Sequence, residues 1–300
     1  MPLAVFPKCF LDQMVSERSL TVDAWIEMAS VLNVDGLEFF SGFTPLDQPD
    51  ELKRLRDLAA SNGLAIPMMC HSPDFTVPAG PARDREIAKQ KAAITASSQL
   101  GGAYCRVLSG QKRPEISVDE GLDRAAACIL ECIPFAADQG VTLVLENHYK
   151  DSYWDYPEFA QKKDVFLNLL DRVGRHANFG VNFDPSNAIV AGDDPIELLE
   201  AVKDRVVTMH ASDRWLTPGA SLDDLRSNDA HPMQGYAPFL RHGVIGQGLN
   251  DYDKIFSILG GVGFSGWVSI EDGQDPECGM EHLDLSAKFL RVKMAAHGLQ

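Results

Sequence analysis

Long apolar runs are absent from this 300-residue chain. No stretch approaches the roughly 20 apolar residues of a spanning helix, so no membrane partner is expected. The opening segment MPLAVFPKCF has no basic stretch and too short an apolar run for a secretory signal. Runs of Lys and Arg are missing too. Lys plus Arg number 27 against 43 Asp plus Glu, a net charge of −16. Such a surface repels nucleic acid and anionic membranes, and on its own it reads as a solubility feature. The six cysteines, Cys9, Cys70, Cys105, Cys128, Cys132 and Cys278, include no CxxC pair. That excludes a zinc ribbon or a thioredoxin-like motif, and they read as reduced thiols of a cytoplasmic protein. Low-complexity segments and linkers are lacking, so residues 1–300 read as one domain.

What is present is an alternation. Short β-type runs stand at 3–6, 36–40, 65–72, 103–110, 141–148, 179–186, 206–213 and 267–273. Helical patterns fall between and after them, at 21–32, 49–61, 85–100, 118–139, 164–175, 195–202, 251–259 and 281–296. Strands alternating with helices predict an α/β fold, a (β/α)8 TIM barrel. A doubly wound open sheet is the rival. It lacks the Gly-rich nucleotide loop after its first strand, and the lone GGVG at 260–263 follows a helix. One connection, about 213–247, shows no convincing element. In a barrel it leaves the catalytic face, so it is a lid or substrate-wall candidate, or else a peripheral insertion.

The last four strands end in Glu146, Asp184, His210 and Glu271. Side chains alternate along a strand. Leu143 and Leu145 take the outward parity, as do Val181 with Phe183, Val207 with Met209, and Val268 with Ile270. Each strand-end ionisable group then points into the mouth of the barrel. Three carboxylates there repel one another and demand protonation or a cation. Three oxygens and one nitrogen suit a divalent metal: Mn²⁺ first, then Mg²⁺ or Co²⁺, with Zn²⁺ compatible. The bland reading is a salt-bridged core with Arg106 or Lys8 as counter-charge; the metal reading is preferred because barrel chemistry is built at that face. His148 shares the inward parity of Glu146, and His71 ends the third strand; both are substrate-binding candidates. Glu38 takes the inward parity in GLEFF, and His231 reads as surface.

The segments LVLENH, NFDPSN, TMHASD and SIEDG, with HGVIGQGLNDYDKIF near the C-terminus, resemble the sugar phosphate isomerase/epimerase superfamily of xylose isomerase-like barrels. The resemblance runs along the whole chain. It implies that Glu146, Asp184, His210 and Glu271 are the metal ligands, and that Glu146 and Glu271 are the acid/base pair on opposite faces of the substrate. It adds Asn187, Arg214 and His242 as substrate-binding candidates. The implied activity is a divalent-metal-dependent sugar isomerase or epimerase that removes an α-proton from a keto-sugar to form an enediolate. The alternative is a lyase, an inosose-type dehydratase or 3-keto-glycoside eliminase, built on the same residues. The implied partner is a small sugar-like molecule, and a homo-oligomer is compatible. Two departures stand out. Asn187 occupies the place of a substrate-binding His in ketose 3-epimerases, which argues against free ketoses. Leu240-Arg241-His242 loses an Asp that DNA-repair members use, which argues, with the acidic charge, against that activity.

Overall fold

The computed structural model describes residues 1–151, 153–227, 239–271, 273 and 275–299. Its strands are β1 (Leu3–Val5), β2 (Gly36–Leu37), β3 (Phe39–Phe40), β4 (Met68–Cys70), β5 (Tyr104–Val107), β6 (Thr142–Glu146), β7 (Phe179–Phe183), β8 (Val206–Ala211), β9 (Arg214–Leu216), β10 (Leu240–His242) and β11 (Trp267–Ile270). Nine of these form one sheet in the order β2-β1-β11-β8-β7-β6-β5-β4-β3. Every pairing within it is parallel. The two end strands are halves of one extended run, interrupted at Glu38. β2 pairs β1 and β3 pairs β4, so the run closes the ring and the nine strands make an eight-stranded (β/α)8 barrel.

The helices are α1 (Leu11–Val15), α2 (Val22–Ala29), α3 (Pro49–Ser61), α4 (Pro81–Gln99), α5 (Val118–Asp138), α6 (Lys163–Val173), α7 (Pro185–Val190), α8 (Pro195–Val202), α9 (Leu222–Ser227), α10 (Tyr252–Gly261) and α11 (Gly279–Ala296). Their starts follow from local chemistry. Thr21 accepts from the Ala24 N–H, Ser117 from Glu120 and Asp251 from Lys254, each satisfying an orphan donor of a first turn. Pro49, Pro81, Pro185 and Pro195 each stand in a first turn, where the missing N–H costs nothing. Apolar helix faces such as Leu122, Ile129 and Ile133 of α5 pack on outward strand residues such as Leu143 and Leu145, and all belong to one continuous core. All six cysteines are free thiols, five of them buried. Among the described residues no helix is long and apolar enough to cross a membrane.

The eight expected strand runs and eight helical patterns are all present. The stretch 213–247 needs correction. It holds β9, α9 and β10, with β9 and β10 paired antiparallel so that Arg214 lies opposite His242. Three-residue strands that meet across more than twenty residues leave no periodicity and no tight-turn signature to read. Residues 228–238, and with them His231, lie outside the described residues.

Candidate metal centre and active site

β6, β7, β8 and β11 are neighbours in the ring and carry Glu146, Asp184, His210 and Glu271 at or just past their C-terminal ends. One donor atom from each of the four lies within 4.8 Å of the others, and all four side chains are buried. The local sequence sets each one. Asn147 clamps the ends of β6 and β7, its Nδ2 donating to the Asp184 carbonyl at 2.6 Å and its Oδ1 accepting from the Asp184 N–H at 2.9 Å. Asp184 caps α7: its Oδ1 accepts from the Asn187 N–H at 2.9 Å and from Ser212 Oγ at 2.7 Å. The Asp-Pro pair thus stops the strand, starts a helical turn and holds the carboxylate at the barrel mouth.

His210 is turned by its far side. Its Nε2 lies 2.8 Å from Glu38 Oε1, which also accepts from Cys70 Sγ at 2.6 Å. Its Nδ1 then faces Glu271 Oε2 at 2.8 Å and Glu146 Oε1 at 3.2 Å. With the Nε2 proton given to Glu38, the Nδ1 lone pair confronts two carboxylate oxygens. That arrangement needs a second ring proton or a cation among the three. Burial opposes a charged ring, yet Glu38, Glu146 and Glu271 raise the His210 pKa well above its ordinary value.

The carboxylates are unequally compensated. Glu146 Oε2 pairs with Arg106 at 2.9 Å, while its Oε1 accepts from Asn187 Nδ2 at 3.1 Å. Burial pushes its pKa up, but His210 and Arg106 outweigh that and hold it at about 2. Glu271 pairs with Lys8 at 3.0 Å, and Lys8 with His210 holds its pKa well down against burial. Asp184 is the carboxylate left over. Burial first, then Glu271 and Glu146, push it up to about 6. The expected counter-charges Arg106 and Lys8 are therefore both in place, and Asp184 is still raised by burial and its neighbouring carboxylates against the pull of Arg214 and His210. A set of three oxygens and one imidazole nitrogen, converging and under-compensated, fits a divalent cation.

The other candidates separate into four places. Asn187 touches Glu146, and its Oδ1 has no hydrogen-bond partner among the described residues. Arg214 and His242 face each other on the β9–β10 hairpin. Arg214 is buried with its guanidinium 5.3 Å from the Tyr149 ring centroid, and burial together with Arg214 and Lys8 holds the His242 pKa well down. His148 stacks on Tyr149 and lies 3.8 Å from Glu158, outside the four-residue cluster. His71 is also outside it, with Nδ1 2.8 Å from Ser41 Oγ. Sequence reasoning placed Glu38 inside the mouth without its role, read Cys70 only as a reduced thiol, and did not single out Asn147. A charge inside the apolar run GLEFF is the one signal that could have marked Glu38 as the partner of another buried group.

The IGQG segment explains itself here. Asp213 Oδ2 accepts from the N–H groups of Gly246 and Gly248 at 2.9 and 3.0 Å, and its Oδ1 accepts from Asn250. This cradle anchors the residue next to Arg214. A Cβ on Gly248 would meet Asp213 Oδ1 at 2.2 Å and the Arg214 carbonyl at 2.5 Å. Gly248→Ala is therefore expected to cost about 1–3 kcal/mol. A thermal melt of the variant checks this, and an unchanged midpoint would show that the cradle yields.

His71 carries a pH prediction. Burial and Arg106 push its pKa from 6.5 to about 4, so the unfolded chain takes up this proton more readily than the folded one. Its contribution to stability is present above pH 6.5 and is lost as the pH falls toward 4. Denaturant midpoints between pH 7 and 4 should fall more steeply for the native protein than for His71→Gln. Parallel curves would remove His71 from the account.

With this geometry in view, the comparison with known proteins is direct. The model of the xylose isomerase-like TIM barrel matches residues 26–291. The chain belongs to that family. A curated relative, the inosose dehydratase of Bacillus cereus (strain AH820), is 22% identical over 191 residues, 61% of this chain and 58% of that enzyme. The chain thus spans less than two thirds of the length of this relative. Among solved structures, a D-tagatose 3-epimerase-like protein superposes with a TM-score of 0.75 at 19% identity, covering 99% of this chain and 98% of that one. The IOLI protein with a bound zinc atom gives a TM-score of 0.73 at 18% identity, covering 99% of both chains. At these identities the structural likenesses establish the family fold.

Proposed function

We propose that this chain is a divalent-metal-dependent sugar isomerase or epimerase acting on a keto-sugar. The convergence of Glu146, Asp184, His210 and Glu271, with His210 oriented by Glu38, carries the reading. These four are the proposed metal ligands. A divalent cation held there supplies the charge that polarises a substrate carbonyl and steadies the enediolate. Mn²⁺ is the preferred ion for an oxygen-rich set, and the zinc atom in the IOLI protein supports a divalent cation more generally.

The chain's own residues do the proton work. Glu271 and Glu146 are the proposed acid/base pair, both ionised at rest: one carboxylate removes the α-proton, and the other, after taking a proton from solvent, returns it to the opposite face or the adjacent carbon. Arg106 cannot give up its proton, so it holds Glu146 ionised. Lys8 does the same for Glu271, with further N–H donors for a substrate oxygen. Asn187 Oδ1 is placed to accept from a substrate hydroxyl. Arg214 and His242 on the hairpin, with His148 and His71 on the other walls, are the proposed substrate-binding groups. Residues 1–300 are read as one catalytic domain, supported by the way Leu3 and Leu299 enter the same core. A cytoplasmic location and a homo-oligomer complete this reading, and the net charge of −16 is compatible with both.

A carbon–oxygen lyase is the second reading, favoured by the inosose dehydratase relative. It shares the first step: if the β-carbon carries a leaving group, the enolate expels it. Proton NMR in D₂O tests both, with metal-loaded and EDTA-treated protein incubated with ketoses, inososes and 3-keto-glycosides. Deuterium entering α to a carbonyl only in the loaded sample is the expected result. An isomeric product assigns an isomerase, and lost water or aglycone assigns a lyase. No exchange in any substrate would overturn the enolisation chemistry.

A further inference from the structure

Across the barrel mouth from the β8 end lies a second depression of about 380 Å³, the size of a small-molecule site. It is lined by Phe40, Ser41, His71, Asp151, Tyr153 and Trp154, among others, from the loops that follow β3, β4 and β6. One side chain, Arg106, links its wall to the carboxylate cluster. Arg106 donates through one terminal nitrogen to Glu146 at 2.9 Å and through the other to Ser72 Oγ, on the pocket wall, at 3.0 Å. The Arg106 guanidinium thus touches both the pocket wall and the carboxylate cluster.

The wall chemistry selects the occupant. Its charges are largely neutralised in place: Asp74 pairs with Arg113, and Glu86 pairs with Lys89 at 2.8 Å. Asp151 contributes an acidic group, with Oδ1 accepting from the Tyr153 N–H. Burial keeps the His71 imidazole neutral at physiological pH, and its Nε2 has no hydrogen-bond partner among the described residues. Among the described lining residues, an anionic group would meet Asp151 and no cation that is not already paired. An uncharged ring with hydroxyls meets acceptors and donors in Asp151, His71 and Ser41. Its C–H faces meet Trp154, Phe40 and Tyr153.

We propose that this pocket is a subsite for a second, uncharged, hydroxylated ring joined to the keto-sugar, so that the substrate is a glycoside and not a free monosaccharide. The proposal rests on the sugar-processing reading of the carboxylate cluster and names its substrate class. Titration calorimetry tests it, with Mn²⁺-loaded and EDTA-treated protein against D-fructose and the uncharged ketose disaccharides lactulose, palatinose and turanose. At least one disaccharide is expected to bind the loaded protein about tenfold or more tighter than fructose, a difference of about 1.4 kcal/mol. Tyr153→Ala and Trp154→Phe should each lower that ratio at least threefold. Tyr153 is 60% exposed, so its truncation does not threaten the fold. If no disaccharide exceeds fructose, or the two variants leave the ratio unchanged, the subsite is overturned. Disaccharide preference that survives EDTA with no metal dependence for fructose keeps the subsite and overturns the metal-centre reading. A protein that binds none of the four sugars overturns both.

Discussion

Glu271→Gln is expected to lower turnover by on the order of 10²–10⁴-fold, the usual contribution of a positioned acid or base. The substitution keeps the volume of a side chain that is 5% exposed and removes its charge. Lys8 loses its carboxylate at 3.0 Å, and His210 Nδ1 loses its neighbour at 2.8 Å. Glu146, Asp184 and His210 remain, so a weakened Mn²⁺ affinity should survive and be measurable by titration calorimetry. Circular dichroism separates the loss from unfolding. Full activity in this variant would remove Glu271 from the proton-transfer role.

Arg106→Met should produce the largest stability loss. Arg106 is 4% exposed and Glu146 is 1% exposed, so the change strips a buried carboxylate of its partner. Breaking one side of a buried pair costs about 3–5 kcal/mol. In a chain of this size that lowers the melting temperature by roughly 10 °C. The same guanidinium holds Ser72, so the wall of the second pocket loosens as well. The double variant with Glu146→Gln should recover part of the loss, because the orphaned charge is gone. A melting temperature within a degree or two of the native protein's would mean that Glu146 is compensated by His210 and Asn187 alone.

These expectations rest on residues that were unequally legible. Glu146, Asp184, His210 and Glu271 could be placed on one inner face because strand alternation has a fixed period and their neighbours are plainly apolar. Lys8 and Arg106 could be named as counter-charges but not assigned to Glu271 and Glu146. Alternation says which side a residue faces and is silent on which other strand it meets. The hairpin of Arg214 and His242 was invisible for the same reason. So was the contact of Glu38 with His210, which joins residues 172 positions apart.

By itself the sequence determined the barrel, its eight strands and eight principal helices, and the inward turn of four ionisable groups. Each of these follows from local periodicity, capping and turn chemistry, which act over a few residues. The tertiary structure alone decided that β2 and β3 close the ring around Glu38. It also decided that Arg106 pairs with Glu146 and Lys8 with Glu271 while Asp184 is raised, and that Arg106 also reaches the wall of a polar pocket with aromatic walls. Those outcomes depend on register and distance between strands far apart in the chain, where the Coulomb and hydrogen-bond terms that shape the site are set.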